Sequence, residues 1–163
     1  MPSVKALRPN ELVGYDEDLL LWSQQQARLL REGRFAELDV ARLADEIEDV
    51  GESEKREMAS RVSVLLAHLI KWKLQRPRRS SSSEATIRDQ RRRIVMLLGE
   101  TPSLTAQCLN NPDWIEGVWL DARVFARKEM RIRVETTAMR LEPLWRSAIW
   151  PMETILDPVF WPE

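Results

Sequence analysis

His68 is the only histidine in the chain, and Lys71 and Trp72 follow it at offsets of three and four. On a helix these offsets put Arg61, Leu65, His68 and Trp72 in line. An imidazole placed beside Lys71, with Arg88 and Arg91 on the following helix, would serve as a general base or hold an anion. The competing expectation is a histidine hydrogen-bonded to a neighbouring helix. One histidine excludes, within one chain, any site built on two or more His ligands. A second set is acidic: Asp45, Glu46, Glu48, Asp49, Glu52 and Glu54. Positions 45, 48, 49 and 52 share one helical face, and facing carboxylates bind divalent cations. The carboxylate di-metal bundles, however, use Glu-x-x-His, which does not occur here. A solvated face with i,i+4 partners such as Glu52–Arg56 is therefore expected, with no metal and no cofactor. Glu54 differs by falling in an apolar row, where burial would require a cation or donors.

The third set is basic. Residues 71–93 carry nine Lys/Arg against two Asp/Glu, interleaved with Trp72. Arg76, Arg78, Arg79, Arg88, Arg91 and Arg92 could track the phosphates of RNA or DNA. No recognised nucleic-acid motif accompanies them, and the whole-chain pI is about 6.0. Neither a Gly-x-Ser-x-Gly elbow nor a Gly-rich loop ending in Lys-Ser/Thr is present. Cys108 is the single cysteine, which excludes an intramolecular disulfide and is expected as a small buried hydrophobe.

These residues must be positioned by helices. A proline-free stretch, about residues 39–75, predicts one helix about 55 Å long. Asp39 caps it, and Val40, Leu43, Ile47, Val50, Met58, Val62, Leu65, Leu69 and Trp72 form a near-heptad stripe. Leu66 and Ile70 widen the stripe, so the second half should be the more deeply buried. Gly51 within the helix implies close approach of a neighbour, or else a kink. Before it, Asp16 opens a helix with Leu19, Trp22, Gln26, Leu29 and Leu30 at helical spacing and Gly33 as its stop. Phe35 and Leu38 are expected to plug the corner. Residues 76–83 are a basic, serine-rich breaker. A serine-capped helix follows from about Glu84 to Gly99, with Ile87, Ile94, Leu97 and Leu98 inward and Arg88, Arg91, Arg92 and Arg93 mostly outward.

Thr101-Pro102 starts a short helix through Leu109, and Asn111-Pro112 starts another, inward at Trp114, Val118, Ala122, Phe125 and Ala126, to about Arg133. Residues 134–147 are helical in composition but interrupted by Pro143. A tail with Pro151, Pro158 and Pro162 among aromatic residues cannot be a long helix, and its apolar content predicts that it is pinned onto the bundle. No strand-period segment or repeat appears.

The chain has 163 residues, 44% of them hydrophobic, with seven tryptophans, enough for one substantial core. A flexible arm over residues 1–14 and a single domain over 15–163 are expected. Net charge is only −1, so no whole-molecule field points to nucleic acid or membrane. The charge is nevertheless segregated: residues 16–57 hold thirteen acids against six bases, opposite in sign to residues 71–93. The longest apolar run, Val62 to Ile70, is too short to span a bilayer. Met1 to Lys5 lacks the apolar core of a secretory signal, so a cytoplasmic location is expected.

Ordered blocks then carry a resemblance. Tyr15-Asp16-Glu17-Asp18, Gln26 to Gly33, Leu43 to Glu48 with Gly51, Leu65 to Trp72, Thr86 to Arg91, Pro102-Ser103-Leu104 and Ile155 to Pro162 occur in one order. Together, over roughly residues 15–162, they resemble the bacterial family catalogued as domain of unknown function 29. The resemblance implies an all-helical bundle from a bacterial cytosol, with no activity, cofactor or substrate established. The chain departs from the pattern at Ser83, where a tryptophan is usual, at Trp119, where a tyrosine is usual, and at Ala148-Ile149, near a usual cysteine-proline pair.

The expected fold is all-α, an up-and-down helical bundle organised around the helix at about residues 39–75, with an irregular Pro/Trp-rich C-terminal tail packed on it. The expected function is that of a non-enzymatic cytosolic protein-interaction or regulatory module, binding a protein partner or a second copy of itself. The first alternative is nucleic-acid binding through the 71–93 hairpin, at Arg76, Arg78, Arg79 and Arg92. The second is an enzyme with a site near His68, whose candidate cluster is His68, Lys71, Trp72, Arg88 and Arg91. A site joining Glu46 to His68 would have to span about 33 Å of one straight helix, which weighs against that reading.

Overall fold

The structure is a computed structural model and describes residues 12–130 and 150–163. The expected arm up to residue 11, the Pro143-interrupted segment, the Ala148-Ile149 departure and the expected helix end at Arg133 lie outside the described residues. Within them the protein is all-α, without a β-strand. Helix α1 is Leu19–Arg31, α2 Val40–Leu74, α3 Ser81–Glu100, α4 Pro112–Glu129 and α5 Met152–Leu156. Single turns at Phe35–Glu37 and Arg76–Arg78 flank α2, and a π-helical turn, Thr105–Leu109, precedes α4.

The starts follow from side chains that satisfy orphan backbone donors. Asp18, two residues later than the expected cap Asp16, accepts from the Leu21 N–H. Asp39 accepts from the Arg42 N–H. Ser80 accepts from the Ser83 N–H and so opens α3 at Ser81, three residues earlier than expected. Asn111 accepts from Asp113 and Trp114 ahead of Pro112, a residue suited to the first turn because it has no N–H to satisfy. Gly33 ends α1 region with φ 72°, the left-handed geometry glycine adopts without strain. The Thr101-Pro102 segment differs from expectation: the Asn110 N–H reaches Thr105 O at 2.9 Å, the i→i+5 bond of a π turn.

Two compact units divide the chain, Met1–Glu52 and Ser53–Glu163. In the first, Trp22, Gln26 and Leu29 of α1 are buried together with Val13. Gln26 accepts from the Asp39 N–H at 2.9 Å and the Trp22 indole donates to Asp39 at 3.3 Å, so α1 holds the start of α2 through polar bonds. Val13, which falls within the expected arm, is held by its N–H donating to Gln25 Oε1 at 2.9 Å. The expected stripe is uncovered here: Val40, Ile47 and Val50 are exposed, as are Leu19, Leu30 and Phe35. Phe35 therefore does not plug the corner.

The second unit holds the large core. Met58, Val62, Leu65, Leu66, Leu69 and Ile70 of α2 are buried with Ile87, Ile94 and Leu97 of α3, Val118 and Trp119 of α4, and Ile155 of α5. Burying each such aliphatic side chain contributes about 1.5–3 kcal/mol. Ser63 adds a buried bond, its hydroxyl donating to Val118 O at 3.3 Å. Cys108 is fully buried in the same core. Phe125, expected in the apolar row of this helix, is exposed, whereas Trp119, six residues earlier on another face of α4, is buried.

Gly51 does not interrupt α2, and a side chain added there would meet nothing within 4 Å. The helix is continuous through it, and the close neighbour expected at this position is absent among the described residues.

Candidate functional site

Three of the basic residues after α2, Arg79, Arg88 and Arg91, gather around the C-terminal tail. Arg91, expected on the outer face of α3, is 4% exposed. Its offsets of four from Ile87 and three from Ile94, both fully buried, put it on the inward row. There its guanidinium donates to three tail carbonyls: Nε to Ile155 at 2.7 Å, Nη2 to Phe160 at 2.7 Å and Nη1 to Pro158 at 3.5 Å. Burial pulls the pKa of Arg91 below the usual arginine range, with nearby Asp157 acting in the opposite sense.

Aromatic rings complete the clamp. Trp161 and Trp72 lie 4.8 Å apart between centroids. Arg88 and Arg91 both sit 5.4 Å from the Trp161 ring centre, and Arg79 sits 5.1 Å from that of Trp72, within cation–π range. Arg79 also donates to Trp72 O at 2.8 Å and to Pro162 O at 3.3 Å. The tail continues through Phe160 on Trp150, at 5.6 Å, and Trp150 on Trp119, at 5.8 Å. It is thus packed on the bundle, by cationic and aromatic contacts as well as by apolar ones.

Trp72, Arg79, Arg88 and Arg91 are therefore brought together, around the tail. His68 and Lys71 face a different partner: Lys71 is ion-paired to Glu129 of α4, and His68 feels the charge of both. His68 is half-buried, and its Nδ1 is buried without a hydrogen-bond partner among the described residues. Burial, then Lys71, push its pKa below the ordinary imidazole value, opposed by Glu129. Lys71 holds the Glu129 carboxyl below the usual carboxylate range. An imidazole whose pKa is lower folded than unfolded makes the unfolded chain the better proton binder, so stability falls as pH drops through the unfolded value near 6.5. The Lys71–Glu129 pair fails only lower, as pH falls through the carboxylate range. Urea midpoints measured from pH 8 to pH 5 should decline toward acid, and His68→Gln should flatten that decline while leaving the loss at lower pH.

The remaining candidates are dispersed. Arg88 pairs with Glu84 at 2.8 Å, and Arg92 and Arg93 pair with Asp89 at 2.8 and 2.7 Å. Arg76 and Arg78 are exposed in the turn after α2. Glu46 belongs to the N-terminal unit, where it accepts from the Tyr15 hydroxyl and raises that group's pKa. Tyr15 also lies edge-on to Trp22 at 5.0 Å and under Arg42 at 4.9 Å. Glu54 is half-buried, whereas Asp45, Glu48, Asp49 and Glu52 are exposed. Among the described residues no group of three or more His, Cys, Asp or Glu is placed to hold a metal ion. No helix among them is long and apolar enough to cross a membrane.

A cleft of about 340 Å³ lies where α3 meets the tail, and another of about 460 Å³ lies along α4. His68 lines neither. The signal for the inward arginine was present in the residues themselves, as a charge in register with two isoleucines, but its partners are carbonyls and carry no side-chain signature.

No curated protein and no solved structure matches the chain. The family model described as domain of unknown function DUF29 matches residues 14–161, from the Tyr15 knot to the Trp161 clamp, and the chain belongs to that family.

Proposed function

We propose that this protein is a non-enzymatic helical interaction module that associates with a second copy of itself through the first half of α2. The observation that carries this reading is the uncovered row on that half-helix: Ile47 is 71% exposed, Val50 67% and Val40 65%. Side chains at such heptad offsets form a seam that an isolated helix leaves in water and a neighbouring helix covers. Beside the seam, Gly51 has open space above it, which permits close approach. The occupant follows from charge. Acidic residues flank this seam, and the complementary basic charge of the chain is concentrated in residues 71–93, so a second copy supplies a matching surface. A lone buried Cys108 fits the reducing cytoplasm of a bacterium.

Sedimentation velocity over a range of protein and salt concentrations tests it. The weight-average mass should rise with concentration at low salt and fall back as salt screens the charges. Ile47→Lys with Val50→Lys, which sets cations against the basic surface of the second copy and removes the apolar row, should remain monomeric while keeping its helix content. A wild-type chain that stays monomeric at every concentration at low salt removes the reading.

A further inference from the structure

The cleft at the junction of α3 and the tail has a composition that neither the packing of the core nor self-association through α2 explains. Its floor is apolar: Val95, Met96, Leu156 and Pro158. Its remaining lining is three arginines, Arg88, Arg91 and Arg92. The α3 members stand at offsets of three, four, seven and eight from Arg88, so one helical face presents guanidiniums at one end and bare aliphatic surface at the other. Val95 and Met96 are more than half exposed. A volume of about 340 Å³ falls within the range of small-ligand sites, about 300–1,000 Å³.

The charge in this cleft is incompletely compensated. Arg91 is 96% buried by side-chain packing, yet among the described residues it makes no ion pair; its bonds go to neutral carbonyls. A buried cation without a contact ion pair is costly, and two of its five N–H groups remain after the three tail carbonyls are served. Arg88 and Arg92 pair with exposed carboxylates of their own helix, Glu84 and Asp89, with Arg88 also over the Trp161 ring and Arg92 reaching Met96 Sδ at 3.5 Å, and such exposed ion pairs are weak and readily exchanged. An arriving anion therefore meets one guanidinium that makes no contact ion pair among the described residues, with Asp157 its nearby carboxylate, and two that can turn toward it.

We propose that this cleft is a binding site for a single-chain amphipathic anion, a fatty-acid-like carboxylate whose head lies at Arg88, Arg91 and Arg92 and whose tail covers Val95, Met96, Leu156 and Pro158. Both ends are required: a tail without charge leaves the arginines unanswered, and a head without a tail leaves the aliphatic floor in water.

Isothermal titration of the full chain with submicellar decanoate, and in parallel with decanol, decyltrimethylammonium and acetate, tests the site. Decanoate should bind at one site, decanol about tenfold more weakly, and the other two without measurable heat. Met96→Trp, at an exposed position, should fill the floor and abolish decanoate binding with an unchanged urea midpoint. Val95→Glu, which puts a carboxylate on the apolar floor within one helical turn of Arg91 and Arg92, should also abolish it. Arg88→Gln with Arg92→Gln should weaken it about tenfold. Absence of decanoate binding, equal binding of decanol, or decanoate affinity unchanged in both Met96→Trp and Val95→Glu each overturns the proposal.

Discussion

Leu66→Ala is expected to lower the unfolding free energy by about 2–5 kcal/mol, and Ile47→Ala, on the same helix, to change it by less than about 0.5 kcal/mol. Leu66 is fully buried in the core of the C-terminal unit, so removing its isobutyl group loses transfer energy and leaves a cavity lined by close-packed neighbours. Ile47 is largely in water already, and its truncation removes little that folding had gained. Urea titration of the two variants at low protein concentration, where self-association is suppressed, measures the contrast directly. Equal losses would mean that the first half of α2 is covered in solution even as a single chain.

Arg91→Ala is expected to cost about 3 kcal/mol, with Arg91→Lys recovering only part of it. The estimate rests on hydrogen bonds from a charged donor, worth about 1.5–3 kcal/mol each, offset by the relief of no longer burying a cation. Lysine keeps the charge but is a point donor on a flexible stem, and it cannot bridge carbonyls at Ile155, Pro158 and Phe160 from one position as a planar guanidinium does. Two readouts separate the clamp from general destabilisation. The midpoint in urea should fall, and under native conditions limited proteolysis should cut the tail near Phe160 faster in Arg91→Ala than in Leu66→Ala adjusted to the same stability. If the two variants are cut equally, the guanidinium does not hold the tail.

Much of this fold was legible from residue types because local chemistry decides helix ends. Asp39, a serine before α3, and Asn111-Pro112 each announce a cap, and each makes one. The rich apolar row from Met58 to Ile70 is likewise buried as its width predicts. What periodicity does not report is whether a row has a cover. Val40, Ile47 and Val50 continue the same stripe, yet only residues distant in sequence could bury them, and α1 meets this part of α2 through Gln26 and Trp22 bonds to Asp39. Arg91 departs from its expected outward position for the complementary reason: charge argues for solvent unless polar acceptors are waiting, and those acceptors are backbone oxygens more than sixty residues away. The π turn at Thr105–Leu109 was equally invisible, since Thr101-Pro102 is compatible with an ordinary α-helical start. Of the candidate site, the meeting of Trp72 with Arg79, Arg88 and Arg91 could be anticipated from the turn between α2 and α3. Trp161 as the ring they share could not.

The same clamp dictates an order of events during folding. Arg91 finds its acceptors 64 to 69 residues later in the chain, so that closure must pay the entropy of a long loop, about 4 kcal/mol, before any bond rewards it. Contacts between α2 and α3 span far shorter separations and are expected to form first, leaving the guanidinium solvated until the tail docks. Interactions absent from the transition state act on the unfolding rate, so loss of the clamp should speed unfolding and leave refolding nearly unchanged. The tail then works as a late kinetic lock, fastened after the helices it secures have already met.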